Sequence, residues 1–281
     1  MATTNIQTFS GDVDVTSNIL MSGEVFIKAN DGNGKVGIGL NAGQTSQGDS
    51  ATAVGRGAGK TDQGANAVAV GYSAGSNNQG TYAIAVGINS ALTAQSSNAI
   101  AIGRAAGQTS QGPQGVAVGY EAGKTDQGAS AVAVGYGAGD TAQDDFAVAV
   151  GRGAGNTSQG TNAVAVGVNA GNTSQGPYAV AVGNNAGGTS QGDSSVAVGR
   201  GAGFYNQGIN SVAVGRAAGQ TAQATEAVAV GYYAGLTSQG DNTVAVGQQA
   251  GKTAQGNSAT AVGNSAGSNN QGSNAVAVGV A

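Results

Sequence analysis

The chain has no histidine, no cysteine and no tryptophan, and only 2 Pro among its 281 residues. Without His and Cys there is no imidazole to move protons at neutral pH, no thiol nucleophile and no disulfide. The usual nitrogen and sulfur ligands of a transition metal are missing too. No cofactor is implied. Charged residues make up 9% of the chain, against about 25% in a typical domain, and aromatic residues 4%. The basic residues are scattered and the net charge is −4, which excludes the concentrated basic footprint of a nucleic-acid binder. Long apolar runs are also missing. The N-terminal MATTNIQTFSGDVDVTSNILMSGEVF has no basic leader, and its longest apolar run, Ile19-Leu20-Met21, is too short for a signal-peptide core. No stretch approaches the length of a membrane span.

Glycine, by contrast, is abundant: 53 residues. From Gly39 to Gly279 a glycine follows a Val or Ile every 16 residues, without deviation. The unit is G-x-x-A-G-x-T-x-Q-G-x-x-A-V-A-V, and fifteen consecutive units fit it. Constant spacing without insertions marks a solenoid, in which each unit stacks on its neighbours. One Gln column is filled in every unit: Gln47, Gln63, Gln79, Gln95, Gln111, Gln127, Gln143, Gln159, Gln175, Gln191, Gln207, Gln223, Gln239, Gln255 and Gln271. The column of Ala53, Ala69 and Ala85 is always Ala, and the Thr column is broken only by Asn77, Tyr205 and Asn269.

Alternate residues of a strand face opposite ways. Lys60 and Asp62 belong in water, so the pattern predicts that Thr61 and Gln63 face inward, the Gln column forming an amide ladder. Val68 and Val70 are predicted to face one way, as buried core, and the Ala pair the other. The Ala columns accept only small substitutes, such as Gly115, Ser195, Ser211 and Thr243. They are therefore expected to meet another chain or another sheet. Gly55, Gly59 and Gly64 sit where the chain must bend. The fold class expected is all-β: a parallel β-solenoid of two short strands per coil, roughly 70 Å long at the ~4.8 Å strand spacing. Residues 1–38 lie outside the repeat and read as an N-terminal cap or trimerisation module; residues 39–281 are the solenoid. The last coil, ending at Ala281, carries no visible cap and would present an open edge.

Asn98-Ala99-Ile100-Ala101-Ile102-Gly103 and Asn162-Ala163-Val164-Ala165-Val166-Gly167 resemble the head repeats of trimeric autotransporter adhesins (YadA-like), as does the unit Gly87-Ile88-Asn89-Ser90-Ala91-Leu92-Thr93-Ala94. The resemblance covers residues 36 to 281. It implies a left-handed β-roll, a homotrimer, and an adhesin-like role at an extracellular surface with a host receptor or glycan as partner. The family repeat is shorter than 16, and the chain shows no heptad stalk or anchor strands. Gly32-Asn33-Gly34-Lys35-Val36-Gly37-Ile38-Gly39 also resembles segments of phage and large-virus fibres. These reuse such repeats without a signal peptide, so the resemblance extends to a virion appendage.

Sharper chemical motifs dissolve into the repeat. Gly59-Lys60-Thr61 looks like the end of a nucleotide-binding loop, but the spacing from Gly55 is one residue short. The Lys column elsewhere holds Gln44, Ser76, Asp140, Asn156 or Phe204. Asp144-Asp145 is the only carboxylate pair and reads as a solvated turn. No enzymatic activity is expected. The column after the repeat glycine is richer: Arg56, Tyr72, Arg104, Tyr120, Tyr136, Arg152, Arg200, Arg216 and Tyr232. Arg and Tyr are common at recognition surfaces, and they also stack on each other along a solenoid. These nine are the candidate contact residues. The regular Thr row suggests a rival function, ice binding. Its placement beside the inward Gln column speaks against that.

Overall fold

The computed structural model describes residues 33–280 and the backbone of 19–21 and 24–28. Every described element is a strand, and the architecture is the expected parallel β-solenoid of fifteen coils. Each coil contributes two three-residue strands. One strand has the sequence V-A-V, as in Val68–Val70; the other has T-x-Q, as in Thr61–Gln63. Stacking places like strands side by side, giving two sheets that we call the Val sheet and the Gln sheet. Both are parallel and pair in a register of 16 residues throughout: Ala133 with Ala149, Gln127 with Gln143, Thr125 with Thr141. Before the first coil, β1 (Ile19–Met21) and β2 (Glu24–Lys28) form an antiparallel pair, and β2 pairs antiparallel with β3 (Val36–Ile38), the first V-x-I strand of the Val sheet. The module expected over residues 1–38 otherwise lies outside the described residues.

Two turns connect the sheets. In the long turn the repeat glycine has φ near +120 to +130° and lies on its counterpart in the next coil. A Cβ on Gly55 would sit 2.6 Å from the Gly71 carbonyl oxygen. At Gly59 (φ +49) a Cβ would strike the Gln63 amide at 2.6 Å, because that side chain folds beneath the turn. Gly64 differs. Its φ is ordinary and the next coil approaches closely at Gly80 and Thr81, yet the same column holds Ser96, Asp144 and Ala224 in other coils.

The interior corrects two sequence expectations. The Ala columns point into the coil: Ala67, Ala69, Ala133, Ala149 and Ala165 are fully buried inside their own chain, and the Ala core runs the length of the rod. The Val columns are on the outside, half-buried by their neighbours. Two three-residue strands this close leave room for methyl groups and a folded Gln, not for Val. The second correction concerns Thr. Thr61 is half-buried on the outer surface and Thr45 is exposed, while Gln63 is buried. Strict alternation fails because the residue between them is left-handed: Asp62 has φ +51 and Ser110 has φ +55. That twist turns both Thr and the middle residue outward while Gln turns in.

Inside, each Gln Nε2 donates to a carbonyl of the preceding Val-sheet strand, as Gln63 does to Thr52 at 2.9 Å. From Gln63 to Gln159 it also donates to the Oε1 of the next Gln, at 3.0–3.1 Å. The chain of amides lapses over the next coils and resumes at Gln239–Gln255 and Gln255–Gln271. The Oε1 atoms of Gln191, Gln207, Gln223 and Gln239 are buried without a partner. Ser195 and Ser211, whose hydroxyls bond to Gly192 and Gly208, lie within that stretch. Thr243 occupies the same column beside a retained link, so a hydroxyl there does not by itself break the ladder.

Candidate functional site

The column after the repeat glycine runs down the long-turn edge, beside the Val face rather than on it. Arg56, Tyr72, Arg104, Tyr136, Arg152, Arg200, Arg216 and Tyr232 are exposed there and Tyr120 is half-buried. The 16-residue register brings successive members against each other. The Arg56 guanidinium lies 5.8 Å from the Tyr72 ring centroid and Arg104 lies 5.3 Å from Tyr120. The Tyr120 and Tyr136 rings are parallel with centroids 5.0 Å apart. Arg216 covers both Tyr232, at 5.3 Å, and Tyr233, at 5.8 Å. Such stacks hold a guanidinium over an aromatic face with its edge still in water. A hydrogen bond between the two phenols raises Tyr232 above the usual tyrosine range. It lowers Tyr233, and the Arg216 charge adds to the lowering.

The edge is not uniform. Two furrows interrupt it, each with a volume of about 260 Å³. In both, the floor is made by two consecutive small residues in the column two past the repeat glycine. These are Gly137 and Gly153 in one, Gly201 and Ala217 in the other. Elsewhere no two consecutive members of that column are Gly or Ala, and it carries residues as large as Asn169, Asn185 and Tyr233. In the first furrow two of the three amides are committed to the floor: Asn156 Nδ2 donates to the Gly137 carbonyl at 3.0 Å and Asn172 to Gly153 at 3.1 Å. Nearby, Lys124 pairs with Glu121 at 3.3 Å. Partial burial raises the Asp140 pKa, opposed by Lys124 and assisted by Glu121. In the second furrow no such ties exist among the described residues.

Sequence reasoning listed Arg200 and Arg216 but missed the furrow. Its sequence signal is a compensating pair. Gly188 is the only glycine in the Lys60 column and Phe204 its only aromatic residue. The Phe204 ring lies where a Gly188 side chain would be, 2.4 Å from a Cβ built there.

Nothing at this edge resembles catalytic machinery. Lys60 is exposed in a turn followed by a strand, not by the helix a phosphate loop requires. Among the described residues there is no group of three or more His, Cys, Asp or Glu side chains that could hold a metal ion. No helix in the described residues is long and apolar enough to cross a membrane.

Residues 158–186 match the family model of the YadA head domain repeat, in two copies. Over this segment the chain is similar to head repeats of the YadA type. The matched segment is two coils, Ser158 through Ala186, and the 16-residue register extends the same architecture through all fifteen. No curated protein matches the chain.

Proposed function

We propose that the chain is the rigid rod of a surface or virion fibre, assembled as a homotrimer through its Val face. One observation carries this reading. Val68, Val70 and their equivalents form an apolar stripe along the outside of the chain, half-exposed and without a charged residue in any coil. An apolar patch of such length on a soluble surface marks an interface. A second copy of the chain suits it, since identical stripes with a 16-residue register match along their whole length. The YadA-type repeats support three chains rather than two. The β1–β2 pair, laid antiparallel on the first strand of the solenoid, would then act as the cap over that end of the Val sheet. The rod's product is rigidity and reach, and contacts with a receptor or glycan fall to the Arg/Tyr edge. Oligomeric mass in solution tests the reading: three chains support it, and a stable monomer at micromolar concentration sinks it.

Ice binding is the second reading, and one observation favours it. The Thr row faces outward, not inward beside Gln, and it is unbroken from Thr93 to Thr189. Shaping of ice crystals by the intact chain would support this alternative. Growth of unfaceted crystals at millimolar protein would remove it.

A further inference from the structure

We propose that the furrow floored by Gly201 and Ala217 binds a carboxylated pyranose, the acidic sugar of a uronate-containing or sialylated glycan. This deepens the fibre reading, on which it rests, by naming what the exposed edge of the rod would hold.

The furrow is a local reversal of the chain's character. The protein is acidic overall, yet two of its ten basic residues line this one cavity and no acidic residue does. Neither Arg200 nor Arg216 has a carboxylate partner among the described residues. Two unpaired guanidinium groups one coil apart present fork-shaped donors to an anion, and a carboxylate is the anion whose planar geometry they match.

The remaining walls suit a sugar ring. Phe204 and Tyr233 both line the furrow and supply aromatic surface, against which the C–H face of a pyranose packs. Asn185 and Gln220 supply amides, and neither amide is engaged in a hydrogen bond among the described residues. Gln220 overhangs the floor: its Nε2 lies 3.5 Å from where a Gly201 Cβ would be. In the other furrow Asn156, the counterpart of Gln220, and Asn172 are tied to backbone carbonyls, and that furrow holds a single Arg. The two cradles have the same size, but only one is lined by two Arg. A cavity of about 260 Å³ falls below the range of about 300–1,000 Å³ for drug-sized ligands, which fits one sugar unit. A single such contact is weak, and three chains per fibre would multiply it.

The test titrates the full chain with glucuronic acid, N-acetylneuraminic acid, glucose and acetate, read by NMR shift perturbation or calorimetry. Saturable binding of either acid sugar near ~1 mM, with glucose and acetate weaker by about tenfold or more, supports the proposal. The tighter acid identifies the glycan source. Two variants localise it. The double substitution Arg200→Gln/Arg216→Gln removes exposed charges and should reduce affinity by about tenfold or more at unchanged melting temperature. Gly201→Asn fills the floor with a residue the same column already accommodates at Asn169 and Asn185, both with φ near +55°, and should block binding. Equal binding of acetate or glucose overturns the proposal, as does undiminished binding in the Arg variant or no saturation by either acid. Oligomeric mass measured on the same sample separates the readings. A trimer indifferent to acid sugars keeps the fibre and loses the furrow; a monomer that binds them does the reverse.

Discussion

The two sheets of the rod are built from strands of equal length in equal register, yet they treat their side chains in opposite ways. The Val sheet keeps strict alternation: Ala inward, two Val outward, repeated at Val132–Val134, Val148–Val150 and Val164–Val166. The Gln sheet breaks it with a left-handed residue at the centre of every strand, so that Thr and a small residue, most often polar, both turn outward. The outcome is a rod with one apolar side and one polar side. The difference shows that hydrophobicity alone does not decide burial. In a coil this narrow, volume decides, so Ala and a folded Gln occupy the centre and Val is left to find its partner outside.

The comparison can be broken most severely at its inward Val-sheet position. Ala149 is fully buried, so Ala149→Glu places a charge with no counterion in the centre of the coil, at a cost above ~4 kcal/mol. Loss of the cooperative thermal transition is expected, and a variant with wild-type melting would show that the Ala column is not the core. The outward side of the same strand predicts a different failure. Val164→Lys should leave the β-sheet circular dichroism intact but weaken association by about 3–5 kcal/mol, visible as a shift to monomer in sedimentation. An unchanged trimer would place the interface on another face.

On the Gln sheet the ladder provides its own control. Gln159→Leu deprives the Gln175 Oε1 of its only side-chain donor and removes the bond to the Val148 carbonyl, costing about 1–3 kcal/mol in chemical denaturation. Gln207→Leu should cost less, because the Gln207 Oε1 has no partner to lose and its Nε2 bonds only to Val196. Equal costs at the two positions would mean that the amide-to-amide bonds contribute nothing. The smallest effect belongs to the outward Gln-sheet position. Thr141→Ala should change stability by no more than ~0.5 kcal/mol, so any effect on ice-crystal shape would be read without a folding artefact.

Much of this was legible because the repeat turns one sequence into fifteen readings of the same coil. The strands, their 16-residue register and the glycine turns at Gly55 and Gly59 follow from the columns alone. The orientation of Thr61 did not, since alternation was assumed across a residue that is not extended. The warning was the composition of that middle column: Asp62, Ser110, Asn206 and Ala222, with no β-branched or aromatic residue in any coil. Asp and Asn are enriched in the left-handed region. The Val and Ala assignment failed for another reason. Transfer free energy puts Val inside, and nothing in a single coil reveals how little space lies between the sheets. The furrow was hidden because Gly188, Phe204, Gly201 and Ala217 each look like ordinary variation in a tolerant column. Only the stacking of coils shows that they act together.

Glycine resting on glycine from one coil to the next makes the rod digital in length. An extra residue within a coil would displace Gly55 from Gly71 and every pair beyond it, at a separation where even a Cβ cannot be fitted. An extra coil of 16 residues disturbs nothing, because it meets the same surfaces above and below. Recombination between near-identical repeats can therefore lengthen or shorten the rod in steps of about 4.8 Å without passing through an unfolded intermediate form. Reach becomes a property that evolution can adjust by counting, while the edge columns change independently of it.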